Sequence, residues 1–345
     1  MRLLSLLVAV VSLTPCFGCG DDTGTGASGG AGGTPSTGGA GANGGGPEGG
    51  GAQGGGAEGG GGGAEVFPCT PTDQCMAGKE CINVADNSGA QDSFLMRMSW
   101  VEIENPSTFN EGLFPQLFQG SFLPSLPTCN LLGSGTFNWL LRFALETPAI
   151  VTGGAPQPAN GINYVFTQAT IDNFPVVPAE LPAVFDTATG SFDTLAGEVL
   201  LPLYLDAQGS SALLLPLREL RFEGTYSPDQ NCIGHYNAEG LSPDDECKPT
   251  ATTPAFVTGA SFDSYITLED ADQIIVAQLQ QSLCVLISGD ATAYGDGGNP
   301  AKCRRTDGVI DYEGDWCSAT NEPADGTTCS DAVRFNGRFA ASAVE

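Results

Sequence analysis

The chain has 345 residues, and its 12 Lys and Arg face 40 Asp and Glu, a formal charge of −28. Such a surface repels phosphate backbones and anionic headgroups, which excludes nucleic acid as a partner and an electrostatic dock onto a lipid surface. It suits a solvated exported surface and leaves room for divalent cations. Roughly the last 280 residues have globular composition, long enough to bury a core as one large β domain or two smaller ones.

Residues 1–18 read as an export signal. Met1-Arg2 is a short basic start, and 3–13 is apolar except for Ser5 and Ser12. That run is too short to cross a bilayer but has the length of a signal h-region. Pro15-Cys16-Phe17-Gly18-Cys19-Gly20 follows. A small residue directly before a cysteine resembles the lipobox of bacterial lipoproteins, with Cys16 standing where such motifs carry Leu. The resemblance implies cleavage after Gly18 and lipidation of Cys19, the new N-terminus. Several acyl chains hold a protein stably where one does not. The other long apolar stretch, 274–287, is interrupted by Gln278, Gln280, Gln281 and Ser282. The expectation is therefore a membrane-anchored chain that does not span the membrane, in the cell envelope and on the outer membrane.

Residues 19–65 read as a tether. Glycine fills 24 of the 45 positions from 20 to 64, and from Gly44 the run repeats every five residues. It has no apolar residue able to seed a core and behaves as flexible coil, spanning about 40 Å on average. Lipobox, Gly-rich tether and many cysteines together resemble lipoproteins of large-genome Gram-negative soil bacteria. That likeness is one of architecture and implies a location but no activity.

Residues 66–345 read as one disulfide-stapled, β-rich globular domain. Ten cysteines remain: Cys69, Cys75, Cys81, Cys129, Cys232, Cys247, Cys284, Cys303, Cys317 and Cys329. An even count in an exported chain reads as a disulfide framework. Zinc knuckles need closer pairs than these. Local closure is expected within 69–81 and within 284–329.

In chain order, strands are expected at 94–104, at 137–146 with the odd positions apolar, and at 162–170. A long hairpin is expected from 197–206 through a polar tip to 211–226, with Pro202 and Pro216 marking an edge or bulge. A further strand is expected at 262–268. One helix follows, capped by Thr267 and carrying Ala271, Ile275, Leu279, Leu283 and Leu286 on one face up to Gly289. The segment 289–329 reads as disulfide-ordered loop, and 331–344 as a final strand or short helix. The fold class is mainly β: an antiparallel sandwich-like domain with one packed α-helix and a disulfide-rich C-terminal loop region.

Motifs for chemistry are sparse. The single histidine, His235, lies near Cys232 in a strand-like stretch, and no Gly-x-Ser-x-Gly elbow supplies a nucleophile for it. No His-Glu-x-x-His pair, P-loop or dinucleotide fingerprint occurs. Asp307, Asp311, Glu313 and Asp315 put four carboxylates in nine residues, a candidate calcium loop, with Asp290 and Asp296 upstream. The spacing departs from the EF-hand, and a solvated acidic loop is the favoured explanation. Trp139 alternates with core positions, whereas Trp316 lies in a loop and suits surface contact. The reading is a lipid-anchored envelope scaffold, or a binding module for an extracellular protein or glycan, without cofactor. The alternatives are a glycan hydrolase using paired carboxylates and a calcium-dependent adhesin.

Overall fold

The computed structural model describes residues 75, 80–90, 92–109, 121–123, 125–126, 131–159, 161–245, 247–250, 252–289, 295, 298–327 and 329–345. The signal and lipidation site at Cys19, the tether, Cys69, Cys129, Asp290 and Asp296 lie outside them.

Nine long strands organise the domain: β1 (Ser93–Asn105), β2 (Trp139–Ala144), β3 (Ala149–Gly154), β4 (Ala179–Asp186), β5 (Ser191–Thr194), β6 (Gly197–Tyr204), β7 (Ala212–Thr225), β8 (Ala260–Thr267) and β9 (Ala332–Ala343). With β6 set aside, each pairs antiparallel with the next along the chain, and β9 returns to pair with β1. The path of main strands therefore closes on itself.

Two faces of the ring meet in the middle. Trp139 of β2 lies 5.8 Å from the ring of Phe222 on β7 and 5.2 Å from Phe262 on β8. Phe143 of β2 lies 5.2 Å from Phe192 on β5 and stacks on Phe94 of β1 at 4.6 Å. The expected sandwich-like character is this facing of β1–β2–β3 against β5–β7–β8. The strand β4 turns the corner: its first half pairs with β3 and its second half with β5. Alternation puts Phe94, Met96 and Met98 inside along β1, as it does Trp139, Leu141 and Phe143 along β2. Each such side chain contributes roughly 1.5–3 kcal/mol of burial.

The expected hairpin is present as β6 and β7, in register through Pro202 opposite Leu214 and Leu200 opposite Pro216. Both prolines sit where β7 has β6 as its partner, and β6 pairs only with β7 among the main strands. Gly154 of β3 makes room for this hairpin: a Cβ there would lie 2.3 Å from the Pro202 carbonyl oxygen.

Three expectations need correction. The single helix is two: α1 (Leu268–Gln273) and α2 (Leu283–Ser288). The Thr267 cap forms as expected, accepting from the Asp270 N–H, and Gly289 closes α2 in the left-handed region. Between them the β-branched run Ile274-Ile275-Val276 turns extended, with Ile275–Val276 pairing with Gln281–Ser282. Ser282 then caps the second helix.

The strand at 162–170 is reduced to Ala169–Ile171. The alternation there is genuine, because Ile162, Tyr164 and Phe166 pack on Leu140 and Leu95 while Val165 is exposed. It reflects a segment laid over the outer face of β1 and β2, not a ladder.

Local closure within 69–81 does not occur at Cys75 and Cys81. Cys75 bridges to Cys247 and Cys81 to Cys232, over 172 and 151 residues. Among the described residues, the bridges Cys284–Cys303 and Cys317–Cys329 are local as expected. Residues 331–344 form strand β9. Among the described residues no helix is long and apolar enough to cross a membrane.

Candidate functional site

The hairpin β6–β7 leaves the ring and, with α1 and the short strand Phe174–Val176, encloses a cleft of about 330 Å³. Its walls are apolar: Phe174, Val199, Leu200, Pro216, Leu217 and Ile274. Glu198, Arg218, Asp270 and Gln273 supply the polar groups. A small apolar cleft with a few convergent polar groups is the usual form of a small-molecule site.

Each charged group is placed by a local backbone feature. Glu198 faces outward on β6, whose neighbour Val199 enters the core. Arg218 stands where β7 is irregular against β8, just before Glu219 at a φ of 52°. Asp270 sits in the first turn of α1, held there by the Thr267 cap.

Arg218 joins the two acids. Its Nη1 donates to Glu198 Oε2 at 2.5 Å, and its Nε and Nη2 lie 3.1 Å and 3.0 Å from Asp270 Oδ2. The Glu198 hydrogen bond holds the guanidinium above its ordinary pKa; partial burial opposes this and Asp270 reinforces it. Among the described residues no donor reaches Glu198 Oε1 or Asp270 Oδ1. Both carboxylates are thus ion-paired through one oxygen and open through the other. That arrangement leaves acceptor capacity for an incoming donor. Sequence reading missed this trio. The signal available was one cation, Arg218, ending the apolar run 213–217.

A second concavity, about 410 Å³, lies on the outer face of β5, β7, β8, β9 and β1. Its arginines are paired across strands: Arg221 with Asp193, Arg334 with Asp263, and Arg338 with Glu102 and Glu104. Donors and acceptors there satisfy one another, the pattern of a solvated sheet face.

Among the described residues, Asp307, Asp311, Glu313 and Asp315 are held by separate local contacts. Asp307 and Gly308 form the tip of the hairpin joining Arg305–Thr306 to Val309–Ile310, with φ values of 50° and 87°. Asp311 pairs with Arg304 at 2.6 Å, and its carboxyl is held below the ordinary range by Thr306 first and Arg304 next. Asp315 accepts from the Arg334 N–H at 2.9 Å, and Glu313 is exposed. Among the described residues no three of these carboxylates come within 4.8 Å of one another. The clusters that do come that close, Asp272 with Cys284 and Cys303 and Asp331 with Cys317 and Cys329, have their sulfurs joined in disulfides.

His235 is exposed opposite Val257, while its neighbour Tyr236 is buried and donates to the Cys75 carbonyl. Burial pushes the Tyr236 phenol up. Trp139 is buried as expected. Trp316 is half-buried, its ring faced by the Arg334 guanidinium at 5.3 Å and its Nε1 donating to Asn321 Oδ1. No protein-family model, curated protein or solved structure matches the chain.

Proposed function

We propose that the chain is a lipid-anchored, exported binding module: a domain held off the outer membrane by acylated Cys19 and the 19–65 tether, binding an extracellular partner without turning it over. The disulfide framework carries this reading. Among the described residues four bridges join eight cysteines, two of them across more than 150 residues, and such bridges persist in oxidising compartments. The binding part is supported by the apolar-walled cleft beside β6, β7 and α1, with its few convergent polar groups. Fractionation of cells expressing wild type and Cys19→Ser tests the anchor. Wild type should follow the membrane fraction and Cys19→Ser the soluble one. Membrane partitioning of Cys19→Ser would overturn the assignment.

A further inference from the structure

We propose that the cleft between β6, β7 and α1 binds a small amine: a primary ammonium on a compact apolar body. The inference rests on the binding-module reading and deepens it by naming a site and a ligand class. Size argues for a small molecule, because about 330 Å³ is at the low end of ligand cavities. The apolar walls, Val199, Leu200, Leu217 and Ile274 among them, call for a hydrocarbon body.

Charge argues for the head group. Two carboxylates meet one guanidinium, so the polar end of the cleft keeps a net negative charge. Arg218 already donates from Nε, Nη1 and Nη2 into those carboxylates. What remains on offer is acceptor capacity, at Glu198 Oε1 and Asp270 Oδ1. A group with three donors and a positive charge matches this; a carboxylate or phosphate would meet like charge. The formal charge of −28 draws cations toward the surface in the same sense. Glu198 is 63% exposed and Asp270 26%, so the first can swing to the incoming head while the second stays fixed by α1.

The test is calorimetric titration of the full mature chain with 2-phenylethylamine, 2-phenylethanol and 3-phenylpropionate, which share a body and differ in head. The amine should bind saturably, the alcohol at least tenfold more weakly, and the carboxylate not at all. Glu198→Gln should weaken the amine at least fivefold without changing the alcohol. Leu200→Trp, which fills the cleft, should abolish both. Equal affinity for amine and alcohol, or amine binding unchanged in Glu198→Gln, would overturn the proposal even if Leu200→Trp fails to fold. A parallel screen of the same chain against immobilised oligosaccharides separates the two levels of inference. Saturable glycan binding with no amine binding sinks the amine site and leaves a binding module. Amine binding weakened in Glu198→Gln and abolished in Leu200→Trp supports both.

Discussion

The carboxylate of Asp272, its side chain 3% exposed, holds Arg305 at 3.0 Å between the two short helices. Its Oδ1 also accepts from Ser282 Oγ at 2.8 Å and from the Cys303 N–H at 2.9 Å. One buried acid therefore ties the end of α1, the cap of α2 and the strand after the Cys284–Cys303 bridge. Burial alone would raise its pKa; the Cys303 amide, Arg305 and Ser282 outweigh burial and leave it lowered.

Asp272→Asn should cost about 1.5–3 kcal/mol at neutral pH, because it removes the charge of a buried acceptor from the Arg305, Ser282 and Cys303 donors. The sign of the pH dependence follows from the lowered pKa. The contribution of Asp272 is complete above the ordinary carboxylate range and is lost as pH falls through the folded-state value. Urea unfolding between pH 7 and pH 3 should show the gap between wild type and Asp272→Asn narrowing with acid. A gap that stays constant would show that the charge contributes nothing.

The long-range bridges should matter more than the local ones. By loop-closure entropy, Cys81–Cys232 and Cys75–Cys247 are each worth about 5 kcal/mol, against about 3 kcal/mol for Cys317–Cys329. Paired Cys→Ala variants compared by thermal unfolding should rank in that order. A larger loss for the Cys317→Ala, Cys329→Ala pair would contradict the ranking.

Arg97 points outward from β1 yet is 3% exposed. It donates to Asn138 Oδ1 and to the Phe122 and Phe137 carbonyls, with the Tyr164 ring 5.9 Å away. Desolvation lowers its pKa. Arg97→Met keeps the stem but removes a donor from each of these acceptors, at about 1–3 kcal/mol for a buried group left without one. The midpoint of urea unfolding should fall by a corresponding amount with an unchanged slope. An unaltered midpoint would show that the three bonds are replaceable.

Gly154→Ala should drive β3 from β6, since the new Cβ meets the Pro202 backbone oxygen. A cost of about 1–3 kcal/mol is expected for such overpacking. Because Pro202 belongs to the hairpin that walls the cleft, ligand binding there should weaken as well. Stability equal to wild type would place the hairpin less firmly on β3.

Much of the architecture is legible in the residues. Alternation in 94–104, 137–146 and 262–268 fixes strands because a pleated backbone sends successive side chains to opposite faces. Pro202 and Pro216 mark the place where β7 lacks a second main-strand partner, since proline donates no ladder bond. The caps at Thr267 and Gly289 are correctly legible, but what lies between them is not. A 3.6-residue stripe also fits a helix–hairpin–helix when β-branched residues fall in its middle. The strands β3, β4 and β5 went unread because short runs such as 149–154 and 179–186 gain strand character only from neighbours on both sides.

An acidic, cysteine-rich, mainly β domain behind a glycine-rich stretch is written in the residues, because composition and period-two patterning are local properties. The closure of β9 on β1, the partners of Cys75 and Cys81, and the meeting of Glu198, Arg218 and Asp270 depend on long-range packing. Those three charged residues lie on β6, β7 and α1, up to 72 positions apart in the chain. No local preference encodes their approach. It follows from burying the apolar faces of a hairpin and a helix against one another, which carries their polar rims together.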